Sequence, residues 1–328
     1  MADIAVIGMA VMGQNLALNI ESRGFTVAIY NRTASTLNAF LDRSGADKDF
    51  QTCFTLTELV KALSRPRRIL LMVQAGAAVD TVLAELQPLL DPGDVIIDGG
   101  NSFFVDTTRR YHAAAEAGLL YLGTGVSGGE AGALHGPSIM PGGSEEAYQI
   151  VSPILTEIAA RADGSRCCVY IGAEGAGHYV KMVHNGIEYG DMQLIAESFF
   201  LLKHLCGMDY PDMHDLFTSW NNKDLDSYLI EITARILKAS DPETGKPMVE
   251  MIVDKAGQKG TGAWTSESAL HLGAPVPTIA EAVFARSLSA AKQERVLASN
   301  ILRGPDKMNH ENRTELANAI EKALYAAK

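Results

Sequence analysis

Short, nearly unbroken apolar runs alternate with helical patterns through the first half of the chain. Ile4–Ile7, Val27–Tyr30, Ile69–Val73 and Val95–Ile97 each read as a strand, and Leu119–Leu122 and Cys168–Ile171 continue the series. Runs without polar alternation are buried on both faces, as strands of a parallel sheet are. Helical periodicity separates them, for example over Asn15–Arg23, Thr55–Leu63 and Asp106–Ala117. Strand, helix, strand in repetition predicts an α/β domain over residues 1–176, with a doubly wound, mainly parallel sheet. From Gly177 the strand signal stops. Helical patterns follow over about Gly177–Leu205, Tyr210–Trp220, Leu225–Lys238, Ser266–Leu272 and Ile279–Leu297, and Arg313–Lys328 is a last amphipathic segment. Residues 177–328 are expected to form an all-α second domain.

Composition narrows the function classes. The 328 residues are 47% hydrophobic and 20% charged, which suits two globular domains. A net charge of −11 argues against nucleic acid as a partner, since phosphate backbones need clustered Lys and Arg. It leaves room for a small phosphorylated ligand in a local basic pocket. Cys53, Cys167, Cys168 and Cys206 show no Cys-x-x-Cys spacing and read as reduced thiols of a cytoplasmic protein. There is no basic-then-apolar leader, and no apolar run reaches the roughly 18 residues of a membrane span, so no membrane partner is expected. His112, His135, His178, His204, His214, His271 and His310 have no metal-ligand spacing, and no metal is expected.

The first strand leads into Gly8-Met-Ala10-Val11-Met12-Gly13. This is the Gly-x-Gly-x-x-Gly dinucleotide fingerprint with Ala10 at its middle position, placed between a strand and a helix as a Rossmann-type fold requires. Gly8 makes the turn, Gly13 allows close helix packing, and the helix N-terminus faces a pyrophosphate. The second strand ends in Tyr30-Asn31-Arg32-Thr33. NAD enzymes usually place a carboxylate there for the ribose hydroxyl. A guanidinium suits a 2′-phosphate instead, so the cofactor is predicted to be NADP, with Arg32 and Thr33 on that phosphate. Val73, Gln74 and Ala75 should form a third contact zone. Asp98-Gly-Gly-Asn101 places an amide at the edge of the sheet, where it can reach both nicotinamide and substrate.

The most informative stretch is Lys181-Met-Val-His-Asn-Gly-Ile-Glu-Tyr189. On a helix, Lys181, His184, Asn185, Glu188 and Tyr189 fall at the spacing that normally carries an apolar stripe. Met182, Val183 and Ile187 lie on the other side. A solvated face would favour Lys and Glu at i,i+4 rather than this mixture. Lys181 and Glu188 stand about 10 Å apart along the axis at 1.5 Å per residue, enough to flank a small polyhydroxy acid.

Before that stretch come Gly125-Val-Ser127-Gly128-Gly129, a nest able to hold a carboxylate, and Gly136-Pro-Ser-Ile-Met-Pro-Gly-Gly143. With Lys181 and Asn185 these match the wider β-hydroxyacid dehydrogenase family. Gln258-Lys259-Gly-Thr261-Gly, Arg286 on a mainly apolar helix, and Trp220-Asn-Asn narrow the match. Over nearly its whole length the chain resembles the long-chain type of the 6-phosphogluconate dehydrogenase family.

That resemblance implies oxidative decarboxylation of 6-phosphogluconate to ribulose 5-phosphate. Hydride would leave C3 for NADP while Lys181, neutral when substrate is bound, takes the hydroxyl proton. Protonated Lys181 would then polarise the ketone during loss of CO2, and Glu188, starting protonated, would supply the proton to C1. Asn101, Ser127, Gly128, Gly129, His184 and Asn185 would hold the carboxylate and hydroxyls; Tyr189, Lys259 and Arg286 would hold the phosphate. The family's loop after the strand ending at Val73 often reads Val-Lys-Ala, and Gln74 departs from it, which should affect affinity rather than function. Long-chain members run well past residue 328, duplicate the helical segment and end in a tail that reaches the neighbouring subunit's site. This implies a homodimer, an apolar face left exposed on the last helices, and doubt over turnover rather than over cofactor binding. The two alternatives are an NADP-binding, dimer-forming fragment with little turnover, and a β-hydroxyacid dehydrogenase for a smaller acid. Against the latter stand Lys259, Arg286 and Glu188, because a smaller acid has no phosphate and needs no proton donor at C1.

Overall fold

A computed structural model describes residues 1–304 and 312–328; His310 lies outside them. The chain divides into two compact units, Met1–Val183 and His184–Lys328.

In the first unit a seven-stranded sheet is built from β1 (Ile4–Ile7), β2 (Val27–Tyr30), β3 (Phe50–Cys53), β4 (Arg68–Leu71), β5 (Val95–Asp98), β6 (Leu120–Ser127) and β7 (Ser138–Gly143). Its order is β3-β2-β1-β4-β5-β6-β7, parallel throughout except for β7, which runs antiparallel to β6. Helices α1 (Val11–Ser22), α2 (Ala34–Phe40), α3 (Leu56–Ala62), α4 (Ala77–Leu86), α5 (Phe104–Glu116), α6 (Gly129–His135) and α7 (Glu145–Ile158) make the crossovers, and β8 (Arg161–Ala162) pairs with β9 (Ser165–Arg166) in a small hairpin. Alternate strand residues feed two cores. Ile4, Val6, Ile29, Leu70 and Ile97 pack into one, and Ala5, Ile7, Ala28, Ile69, Leu71 and Ile96 into the other. Two-sided burial is why these strands read as unbroken apolar runs; each large side chain contributes about 1.5–3 kcal/mol.

Three sheet assignments differ from expectation. Cys168–Ile171 is not a strand. It runs beside β7 through isolated bridges at Cys168 and Gly172. Ile139 N–H donates to the Cys167 carbonyl and Ile171 N–H to the Pro141 carbonyl, but Pro141 has no N–H to donate back, so the ladder loses its middle rung. Conversely, β7 is built from the Gly/Pro-rich run Gly136–Gly143, to which no strand was assigned. It lies at the sheet edge, where a proline is tolerated. The edge strand β3 lacks an apolar run, because Phe50, Gln51 and Thr52 are only half buried.

α8 (Ala176–His204) is one unbroken helix, and the unit boundary at Val183 falls inside it. The second unit continues with α9 (Tyr210–Asn221), α10 (Tyr228–Lys238), α11 (Met248–Met251), α12 (Thr261–Leu272), α13 (Pro277–Ala290), α14 (Lys292–Ser299) and α15 (Arg313–Ala327). Asp209 caps α9 by accepting the Asp212 N–H, and Gly273 ends α12 in the left-handed region. The expected single helix over Ile279–Leu297 breaks at Ala291, whose ψ of 51° leaves the helical region. Leu202, Met213, Phe217, Trp220, Ile230 and Leu324 centre the core of this unit. Trp220 is therefore a packing residue. Much apolar surface stays uncovered, including Leu270, Leu272, Phe284, Leu288, Leu297 and Ile301.

Candidate active site

The dinucleotide turn is held by close backbone approach. Gly8 has φ +99°, and a Cβ there would lie 2.5 Å from the Met72 carbonyl oxygen; a Cβ on Gly13 would lie 1.9 Å from the Gly8 carbonyl oxygen. Ala10 is the N-cap of α1 and offers no side-chain partner, so the first-turn amides stay open to an anion. Val11 is exposed, while Met12 packs against the core. Asn31 serves the turn itself: its Oδ1 accepts the Met9 N–H at 2.9 Å and its Nδ2 donates to the Thr33 carbonyl at 3.0 Å. A cleft of about 320 Å³ opens beside these residues, lined by Gly8, Ala10, Asn31, Arg32, Thr33, Val73 and Gln74. Ala75, next in the loop, is half buried. An amide-rich turn at one end and a guanidinium in place of an acid at the other fit a phosphorylated dinucleotide. Tyr30, Thr81 and Glu85 also line the cleft and were not anticipated. Burial, and after it the Glu85 carboxylate, push the Tyr30 phenol up, with Arg32 opposing. The apolar spacing of Val79, Val82, Leu83 and Leu86 would have revealed the helix that carries two of them.

At the neighbouring sheet edge, Asn101 is exposed and Ser127 half buried, with Gly128 and Gly129 exposed at the start of α6. The first turns of α8 cross β6 at glycines. A Cβ on Gly125 would lie 2.4 Å from Lys181 Cβ, and one on Gly123 would lie 2.9 Å from His178 Nδ1. Lys181 is thus brought to 6% exposure on the sheet. One turn earlier, His178 is fully enclosed, with Nδ1 2.7 Å from Thr107 Oγ1, and burial lowers its pKa.

Within the second unit, His184 Nδ1 lies 3.4 Å from Asn185 Oδ1 and 3.9 Å from a Glu188 oxygen. Asn185 Nδ2 donates to Thr261 Oγ1 at 3.4 Å. Ile187, placed by helical spacing on the side opposite the polar face, is 59% exposed, whereas Met182 is buried. Tyr189, Lys259 and Arg286 converge on the N-terminus of α12. The Tyr189 ring fills the space beside Gly262, the Arg286 guanidinium carbon lies 3.7 Å from the centre of that ring, and Lys259 directly precedes the helix cap, Gly260. Arg286 donates to the Gly257 carbonyl at 2.7 Å. Among the described residues no carboxylate pairs with it, so an internal salt bridge is not what keeps it on this helix. Two cationic side chains, a phenol and helix amides make a suitable anion receptor. No cluster of metal-ligating side chains occurs among the described residues.

Residues 3–172 match the family described as the NAD binding domain of 6-phosphogluconate dehydrogenase, and residues 177–328 match the 6-phosphogluconate dehydrogenase C-terminal domain. The chain belongs to the 6-phosphogluconate dehydrogenase family. It is 57% identical to the NADP(+)-dependent, decarboxylating 6-phosphogluconate dehydrogenase of Bacillus subtilis, over 99% of this chain and 70% of that protein. The Plasmodium falciparum 6-phosphogluconate dehydrogenase structure, described in complexes with NADP+ and with 6-phosphogluconate, matches 99% of this chain and 72% of its own at 43% identity and TM-score 0.88. A Salmonella typhimurium 3-hydroxyisobutyrate dehydrogenase shares the fold, with TM-score 0.67 over 90% of this chain and 95% of its own at 17% identity. No helix among the described residues is long and apolar enough to cross a membrane.

Proposed function

We propose that this chain catalyses the NADP-dependent oxidative decarboxylation of 6-phosphogluconate to ribulose 5-phosphate and CO2. The observation that carries the reading is the helix α8. It presses Lys181 onto β6 at Gly125 and, further along, offers His184, Asn185, Glu188 and Tyr189 on the same polar face. NADP, when bound, supplies the acceptor for the C3 hydride.

Lys181 takes the proton of the 3-hydroxyl. The step needs the uncharged amine. The ammonium so created donates a hydrogen bond to the new ketone and draws electrons toward it as the carboxylate leaves. Glu188 delivers the proton that C1 then requires. Asn101, Ser127, Gly128, Gly129, His184 and Asn185 hold the carboxylate and hydroxyls. Tyr189, Lys259 and Arg286 hold the phosphate, supported by their convergence at α12. At the cofactor end the 2′-phosphate is read by Arg32 and Thr33, next to the turn that Asn31 fixes. A homodimer in the cytoplasm belongs to the same reading. It is supported by the uncovered apolar side chains of the second unit and by four cysteines that stand free.

The test is NADPH formation, followed by absorbance, on mixing the purified chain with NADP and 6-phosphogluconate. Sustained turnover is the expected result. NADP binding without turnover would sink the catalytic reading and leave a cofactor-binding protein.

A further inference from the structure

We propose that Arg110 is a positioning residue, which clasps the loops following β4 and β5 and thereby sets NADP affinity and the placement of Asn101. The inference rests on the reading above. Arg110 lies on α5 and is 2% exposed. Its Nε and Nη2 grip the two Asp80 oxygens at 2.8 and 2.9 Å, and Nη2 also donates to the Gly76 carbonyl at 3.0 Å. On the other side Nη1 reaches Ser102 Oγ at 3.4 Å and lies 3.7 Å from Asp98 Oδ2. One guanidinium therefore ties the end of the loop carrying Gln74 and Ala75 to the end of the loop carrying Asn101.

The Asn101 loop has no other charged anchor of this kind among the described residues. Asp98 is fully buried at the end of β5. It accepts from Gly100 N–H at 3.1 Å, Ser102 Oγ at 2.7 Å and Tyr121 OH at 3.1 Å, so its carboxylate shapes the loop from below. A buried carboxylate of this sort is costly without a cation, and Arg110 supplies one. The planar fork matters as much as the charge. Four separate acceptors surround it, and an ammonium on a single point cannot address them all. Neighbouring Arg109 shows what a purely structural pair looks like. It also meets Asp80, at 3.0 Å, but its side chain is 56% exposed and its partners are Asp80 and Asp106, not the loops.

The experiment compares Arg110→Lys, Asp80→Asn and Arg109→Gln with the parent chain. NADP is titrated calorimetrically without sugar acid, below each protein's unfolding midpoint. Expected is an NADP dissociation constant raised roughly tenfold in Arg110→Lys and by a smaller factor in Asp80→Asn, with Arg109→Gln within about twofold of the parent. In turnover, kcat should fall in Arg110→Lys even at saturating NADP, because Asn101 is displaced as well. A folded Arg110→Lys with unchanged NADP affinity overturns the proposal. Should that variant fail to fold, unchanged affinity in Asp80→Asn, whose carboxylate is 40% exposed and removable, overturns it too. A parent that binds NADP but forms no NADPH defeats the catalytic reading without touching this one.

Discussion

His178 and Lys181, on the opening turns of α8, are 1% and 6% exposed, whereas the side chains of His184 and Glu188 in the second unit are 41% and 39% exposed. The same contrast runs through both units. In the first, the sheet is covered on both faces, glycines let backbone and side chains approach closely, and the buried charges Asp98 and Arg110 have partners. In the second, the core is gathered around Phe217 and Trp220, α14 buries no residue, and Phe284 and Leu288 of α13 are open to solvent. The cofactor end is preorganised by burial. The candidate phosphate end rests on half-buried Tyr189 and Arg286 and on exposed Lys259.

The sharpest break of this comparison would come from Lys181 on α8 and Arg286 on α13. Lys181→Met should lower NADPH formation roughly a thousandfold while NADP binding stays within about twofold. Arg286→Gln should instead raise KM for 6-phosphogluconate by roughly two orders of magnitude with a smaller effect on kcat, since it removes a charge-assisted contact rather than the base. Steady-state kinetics on both variants decides; a KM effect confined to Lys181→Met would reverse the assignment. Next in size is packing. Ile97→Ala, in the covered core, should cost about 2–5 kcal/mol by denaturant unfolding, and Leu270→Ala, 84% exposed, less than about 0.5 kcal/mol. Equal costs would mean that the apolar surface of the second unit is buried in solution.

The smallest effect concerns pH. Burial lowers the His178 pKa, so below its unfolded value near 6.5 the unfolded chain takes up a proton that the folded chain refuses. Stability that is complete above that pH is lost as pH falls, at up to about 1.4 kcal/mol per unit for one proton. His178→Asn should flatten the urea midpoint between pH 6.5 and 5; an unchanged slope assigns the loss elsewhere. Asp80, which its hydrogen bond from Arg110 holds at about 2, adds a second loss only between about pH 4 and 2.

Much of the first unit was legible because two-sided burial forces apolar runs, and the Gly8–Gly13 turn carries its own steric signature. Arg32 was legible for a similar reason: a charge stands where an acid is customary. The groups that escaped notice are those whose meaning depends on distant partners. Asp98 ends a strand and Arg110 sits on a helix, and neither position by itself shows which groups the side chain meets. β7 was hidden by its own glycines and proline, which break the apolar run of a strand, although those glycines let α8 pass close at Gly142 and Gly177.

The sequence by itself determined the strand–helix alternation, the dinucleotide turn and the polar face of α8, because burial periodicity and backbone sterics act over a few neighbouring residues. Only the tertiary structure decided that Arg110 joins two loops, that Gly125 makes room for Lys181, and that Tyr189 meets Arg286. Those contacts depend on side chains far apart in the chain, and their free energies exist only once packing has brought them together.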